Sequence, residues 1–129
     1  MRNKYDRLSL LIVGSLKYPG AGVLASLSAI KAGAGYVKTI IPGGLFDIYS
    51  KIYESVKISI GNRNKKYLKA SDYTDIIKTD FFKKRAPLLI GPGLGEDLET
   101  AKLTSKILRY IKSVDNSSCI IDASGFEPL

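Results

Sequence analysis

The chain has no histidine and a single cysteine among its 129 residues, and no apolar run approaches the ~20 residues that cross a bilayer. Without histidine, a Ser-His or Cys-His catalytic dyad is excluded within this chain, and one cysteine cannot complete a zinc site. The lone Cys119 can close no intrachain disulfide, so nothing indicates an oxidising compartment. In Ser118-Cys119-Ile120-Ile121 it reads as a small hydrophobe in a buried strand. Acidic residues are also in short supply. Twelve Asp plus Glu against twenty Lys plus Arg leave a formal charge of +8, which favours anionic ligands, phosphorylated cofactors or acidic surfaces without choosing among them.

A hydrophobic content of 45 % over this length suits one domain with a core of its own and is too little for two. Arg2, Lys4 and Arg7 precede Leu8-Ser9-Leu10-Leu11-Ile12-Val13, a pattern that superficially resembles a secretory signal. The apolar stretch is short and runs directly into Gly14-Ser15 and Lys17-Tyr18-Pro19, so a first buried strand is the preferred reading. The expectation is a soluble, cytoplasmic protein.

Strand-like and helix-like segments alternate. Val23, Leu27, Ile30 and Ala34 recur at helical spacing after Pro19-Gly20, with Gly33 and Gly35 as a stop, which predicts a helix packed through small residues. Tyr36 to Ile41 reads as a strand closed by Pro42-Gly43-Gly44, and Leu45, Ile48 and Ile52 follow at helical intervals. Val56, Ile58 and Ile60 alternate with Lys57 and Ser59, the period of a strand near an edge. Ser71-Asp72 caps a short helix around Ile76-Ile77. Asp97 caps a longer one carrying Leu103, Ile107, Ile111 and Val114. Ile120-Ile121 begins the last strand. Alternation of this kind predicts an α/β fold with a mainly parallel sheet between two helical layers, because parallel neighbours need crossover connections.

Two glycine-rich turns follow apolar runs in this pattern. Gly91-Pro92-Gly93-Leu94-Gly95 comes straight after Leu88-Leu89-Ile90, and Gly14 to Ala21 after Leu10 to Val13. In a parallel sheet such turns share the rim at the carboxyl ends of the strands, so residues 14–21, 91–95 and 122–125 are expected to converge there. Glycines 91, 93 and 95 let a ligand approach backbone N–H groups, and a helix starting near Asp97 adds donors that favour phosphate. A purely structural strand-to-helix turn is the competing reading. The spacing is neither a P-loop nor a full GxGxxG fingerprint. Tyr18 offers a ring to stack on a flat ligand, and Pro19, Gly20 and Ala21 permit close approach, although the same residues would serve as a plain turn. Asp122 either contacts a ligand hydroxyl or orients water around a metal ion, or else caps the next turn. Arg63, Lys65, Lys66 and Lys69, with Lys83, Lys84 and Arg85, read as a solvated basic face, since only Tyr67 interleaves the first group and no nucleic-acid module is present.

Taken in order, Gly14-Ser15, Tyr18-Pro19-Gly20-Ala21, Leu24-Ala25, Ala32-Gly33-Ala34-Gly35, Ile90-Gly91-Pro92-Gly93-Leu94-Gly95 and Ile121-Asp122-Ala123 resemble the ATP- or ADP-dependent NAD(P)H-hydrate dehydratases of the ribokinase-like superfamily. The resemblance spans nearly all of residues 1–129 but only about the N-terminal half of the family domain. It implies a ribokinase-like, three-layer αβα domain that is incomplete here. The implied activity is repair of hydrated NAD(P)H: nucleotide-driven phosphorylation of the added hydroxyl, then elimination of phosphate to restore the ring double bond. The implied cofactor is ATP or ADP with Mg²⁺, its site mostly in the other half.

On this resemblance Ser15, Tyr18, Pro19, Gly20, Ala21, Gly91, Gly93 and Gly95 bind the dinucleotide, with Asp122 an auxiliary near the phosphoryl-transfer centre and no metal ligand in this chain. The family's later His-Pro-Gly-Glu, Lys-Gly and Gly-Thr-Gly-Asp segments are not in these 129 residues, and the aspartate of the last is the catalytic base. Loss of a positioned base forfeits ~10²–10⁴ in rate, so the expectation is an enzyme half with no activity alone. Two positions depart from the family pattern: Val13 replaces the first glycine of Gly-Gly-Ser, and Ser124 the second aspartate of Asp-Ala-Asp. Gly125-Phe126 continues the resemblance. Half a doubly wound sheet leaves an unpaired strand edge, so either a homo-oligomer or a complementary C-terminal-half chain is expected as partner. Two alternatives stand beside this reading: a non-catalytic nucleotide-binding or interaction module derived from the fold, and a related small-molecule kinase.

Overall fold

A computed structural model describes residues 7–79, 86–114 and 118–123. The expectations placed on Arg2, Lys4, Lys83, Lys84, Arg85, Ser124, Gly125 and Phe126 lie outside these residues. The chain runs β1 (Leu8–Ile12), α1 (Pro19–Lys31), β2 (Tyr36–Pro42), α2 (Phe46–Tyr49), β3 (Ser55–Ile60), α3 (Tyr73–Ile77), β4 (Leu88–Ile90), α4 (Leu98–Lys112) and β5 (Cys119–Ile121), with 3₁₀ turns leading into α2 and α3. The five strands form one sheet in the order β3-β2-β1-β4-β5, every pair parallel. The mainly parallel α/β architecture and the edge position of β3 are as the sequence predicts.

The register explains why β1 is apolar from Leu10 to Ile12. Ile12 lies between Ile40 and Ile90, and Leu10 between Lys38 and Leu88. A central parallel strand is buried on both faces and so carries a continuous apolar run. Leu10 and Ile12 join Ile40, Ile60, Leu68, Ile76, Leu88, Ile90, Leu94, Leu103 and Ile107 in the core beneath α3 and α4. Leu11 and Val13 turn the other way, to Val37, Ile41, Leu45, Tyr49 and Ile52 beneath α1 and α2.

Val23 and Ile30 of helix α1, with Ala34 just after it, pack against the core as predicted, and the helix is seated through small residues, whereas Leu27 turns outward. The buried residues of the helix itself are Gly22 and Ser26, while Leu24 is 68 % exposed. The small residues let the helix settle onto the sheet. A Cβ built on Gly22 would stand 2.7 Å from Val13 Cγ2, and the Ser26 hydroxyl bonds Gly22 O at 2.8 Å and meets Thr39 Oγ1 at 3.3 Å. Around α2 the burial shifts by one residue. Tyr49 is wholly buried and Ile48 is not, because the helix is only four residues long and begins from a 3₁₀ turn. In β3, Val56 is exposed although Ile60 is buried.

Helix α4 follows its predicted period, with Leu103 and Ile107 fully buried, each contributing ~1.5–3 kcal/mol. Thr100 on the same face donates to Leu68 O at 2.7 Å. As expected, Asp97 caps the helix, its Oδ1 accepting from Glu99 N–H at 2.9 Å. Asp97→Ala is expected to cost about 1 kcal/mol, measured as a lower urea midpoint with an unchanged slope. Asp72 acts differently from a simple helix cap. Its Oδ2 accepts from Lys69 N–H at 2.8 Å, bracing the 3₁₀ turn, and also pairs with Lys65 Nζ at 2.9 Å.

Cover is uneven on the α1 side of the sheet. Leu89 lies directly beside Ile120 in the register, and Ile120 is 68 % exposed. The two residues help line an apolar groove of about 350 Å³ together with Ala25 and Ala29 of α1. Because β5 is the edge strand, Cys119 is half-buried rather than buried as predicted. Desolvation pushes its thiol pKa upward, which disfavours the thiolate.

Candidate functional site

The carboxyl ends of β1 and β4 bring the two glycine turns together. Gly14 N–H donates to Pro92 O at 2.9 Å, and Gly91 N–H to Ile12 O at 3.3 Å. Gly93 has φ +72°, and a Cβ there would lie 2.5 Å from Tyr18 O, so the second turn sits against the backbone of the first. Asp122 N–H donates to Ile90 O at 3.1 Å, which fixes the end of β5 on the same rim. The predicted convergence of 14–21 and 91–95 is thus observed, with Asp122 beside it.

A cavity of about 600 Å³ opens at this junction, lined in part by Ser15, Leu16 and Lys17 from the first turn and by Leu94, Gly95, Glu96 and Asp97 from the second. Its remaining wall is Lys66 and Tyr67. These two arrive on the loop after β3, which is held in place by Leu16 N–H donating to Lys66 O at 2.8 Å. Of the residues predicted to bind a ligand, Ser15 and Gly95 line the cavity. Tyr18, Pro19, Gly20, Ala21, Gly91 and Gly93 belong to the two turns but stand outside its lining, as does the exposed Asp122.

Tyr18 is turned across the junction. Its hydroxyl donates to Glu96 Oε1 at 2.5 Å, and Lys17 Nζ reaches Glu96 Oε2 at 3.2 Å while lying 5.2 Å from the Tyr18 ring centroid. The Tyr18 hydrogen bond and then Lys17 hold the Glu96 carboxyl below its ordinary range. Tyr18 and Glu96 together raise the Lys17 ammonium above its own. All three side chains are solvent-accessible, so the contact ties the two turns loosely.

The two helix starts at this rim differ in charge. The first turn of α4 carries the Asp97 cap and Glu99, which oppose an approaching anion. The first turn of α1 has Pro19 at its start, no acidic residue and no side-chain cap, and a Cβ on Gly20 would meet nothing within 4 Å. The open, dipole-aligned N–H groups that favour phosphate therefore belong to Gly20 and Ala21 rather than to the helix after Asp97.

Residues 9–129 match the family model described as NAD(P)H-hydrate dehydratase. A bifunctional NAD(P)H-hydrate repair enzyme of Dictyoglomus turgidum is 30 % identical over 88 % of this chain and 21 % of its own length. An ADP-dependent (S)-NAD(P)H-hydrate dehydratase of Lactococcus lactis is 30 % identical over 95 % of this chain and 39 % of its own. In fold, a ribokinase-like superfamily protein from Enterococcus faecalis superposes with a TM-score of 0.70 at 20 % identity, covering 96 % of this chain and 39 % of that one. The chain thus spans about a fifth to two fifths of the length of these proteins.

Proposed function

Since the chain belongs to the NAD(P)H-hydrate dehydratase family, we infer that it supplies the substrate-holding part of a nucleotide-dependent repair of hydrated NAD(P)H. On this reading residues 1–129 are one portion of a ribokinase-like domain. The observation that carries it is the 600 Å³ cavity between the two family-typical turns, a volume suited to a drug-sized ligand.

Within that cavity the ligand lies along the backbone at Gly95, where no side chain intervenes. Ser15 adds a hydroxyl already positioned by accepting from Tyr18 N–H at 3.3 Å. Just outside the lining, the uncapped start of α1 faces the phosphate groups, and Tyr18 borders the ring. Asp122 stands at the rim as an auxiliary to phosphoryl transfer. ADP or ATP supplies the phosphoryl group that turns the added hydroxyl into a leaving group. The acids around the cavity do not fit a resident divalent ion. Among the described residues no group of three or more His, Cys, Asp or Glu is placed to hold one, Glu96 is held by Tyr18 and Lys17, and Asp97 is committed to Glu99 N–H.

Calorimetric titration with hydrated NADH and hydrated NADPH, alongside recovery of NADH absorbance with ADP or ATP, tests the reading. The chain is expected to bind the hydrates saturably and to restore no absorbance alone. Repair is expected when the C-terminal remainder of the Lactococcus lactis relative is added. Turnover by the chain alone would overturn the half-site assignment. A folded chain that binds neither hydrate would overturn the placement of the substrate.

A further inference from the structure

Four cations stand on the loop between β3 and α3, and three of them are engaged. Arg63 Nη2 lies 3.3 Å from Asp47 Oδ1, its guanidinium 4.9 Å from the Phe46 ring centroid. Lys65 Nζ is 2.9 Å from Asp72 Oδ2, with both side chains largely buried. Lys69 Nζ lies 5.2 Å from the Tyr67 ring centroid. Lys66 has no ion-pair, side-chain hydrogen-bond or ring partner among the described residues, yet it is the cation of this loop that lines the cavity. Its backbone is fixed to the opposite wall by the Leu16 N–H bond, so the flexible stem swings from a set point.

The charges around the cavity sharpen the contrast. Asp97 is drawn to its helix end. Of the two ammonium groups lining the cavity, Lys17 is loosely paired with Glu96, and Lys66, beside the half-buried ring of Tyr67, has no such partner among the described residues. A flexible ammonium with no competing carboxylate suits a phosphate, which it binds as a point charge.

We propose that Lys66 is the phosphate-reading residue of this cavity and sets its preference among phosphorylated ligands, with Tyr67 flanking the adjoining ring. This rests on the reading that the cavity holds the hydrated dinucleotide. The phosphate has two possible sources in such a ligand: the pyrophosphate bridge common to both dinucleotides, or the 2′-phosphate of the NADP type alone.

The test is calorimetric titration of the whole chain with NAD⁺, NADP⁺ and inorganic pyrophosphate at low salt. It compares the native chain with Lys66→Met, Lys66→Arg and a control on the outer face of α4, Lys106→Met. Lys66→Met is expected to weaken binding about tenfold, the scale of one charge-assisted contact, whereas Lys66→Arg retains it. Equal loss for NAD⁺ and NADP⁺ assigns Lys66 to the pyrophosphate, and loss for NADP⁺ alone assigns it to the 2′-phosphate. Unchanged binding by Lys66→Met, or an equal loss in Lys106→Met, overturns the proposal. Lys66-dependent binding of pyrophosphate without binding of either dinucleotide would keep the phosphate role and remove the dinucleotide reading. A native chain that binds none of the three overturns the phosphate role of Lys66, while titration with the hydrated dinucleotides decides the reading of the cavity.

Discussion

Gly93→Ala is expected to destabilise the fold by about 2–5 kcal/mol and to abolish ligand binding in the cavity. Two effects add at this position. With φ at +72°, any side chain meets the left-handed penalty of ~1–2 kcal/mol. The new methyl would also lie 2.5 Å from Tyr18 O, 3.2 Å from Ala21 Cβ and 3.4 Å from Gly14 Cα, which are backbone or near-backbone atoms with little freedom to yield. Relief requires residues 14–21 to move off the second turn, breaking the Gly14–Pro92 bond that frames the cavity. Gly95→Ala is the matched comparison. Its φ is +94°, but its Cβ would meet Ser15 Oγ at an ordinary 3.6 Å, so only the conformational penalty remains. Urea unfolding of both variants separates the terms. Equal losses would show that the two turns do not approach this closely in solution.

Tyr49→Ala should cost about 3–5 kcal/mol, as expected for an aromatic removed from a closed core. Tyr49 is wholly buried beneath α1, its hydroxyl donates to Pro19 O at 2.9 Å, and Gly22 is the residue whose missing Cβ makes room for that hydroxyl. Tyr49→Phe keeps the ring and leaves the Pro19 carbonyl short of a donor, for a smaller loss of ~1–3 kcal/mol. The phenol also carries a pH signature. Burial pushes its pKa from 10.0 up to about 12, so the folded chain keeps the proton where the unfolded chain releases it. This contribution is intact below pH 10 and disappears as pH rises toward 12. Unfolding free energies measured across that interval should fall more steeply for the native chain than for Tyr49→Phe. Parallel curves would remove Tyr49 as the source.

Burial on both sides made the central strands legible. β1 and β4 carry apolar runs that lead into glycine, and β2 ends in Ile40-Ile41-Pro42 before Gly43. The helices were harder, because apolar spacing shows which residues could be buried and not how near the helix will come. Gly22 and Ser26 draw α1 down until Leu24 and Leu27 are left at its flank. Cys119 was misjudged for a related reason: its exposure depends on what lies beyond β5, and its own strand says nothing of that. In the site, the glycine turns announced themselves. Glu96 carried only the weak signal of following the second turn. Lys66 and Tyr67 carried less, since a main-chain bond to Leu16 delivers them and main-chain bonds leave no residue pattern.

The bare surface at Leu89 and Ile120 has a topological consequence. From β1 through β2 to β3 the chain steps one way across the sheet, with α1 and α2 on one side. From β3 to β4 and on to β5 it steps the other way, with α3 and α4 on the opposite side. A single handedness ties direction of travel to side. A further strand added outward from β5 would therefore send its connecting helix next to α4 and leave Ile120 as open as before. Only a segment travelling back toward β1 lays a helix over Ile120, so growth at this edge and shielding of this surface are separate events that need chain moving in opposite directions.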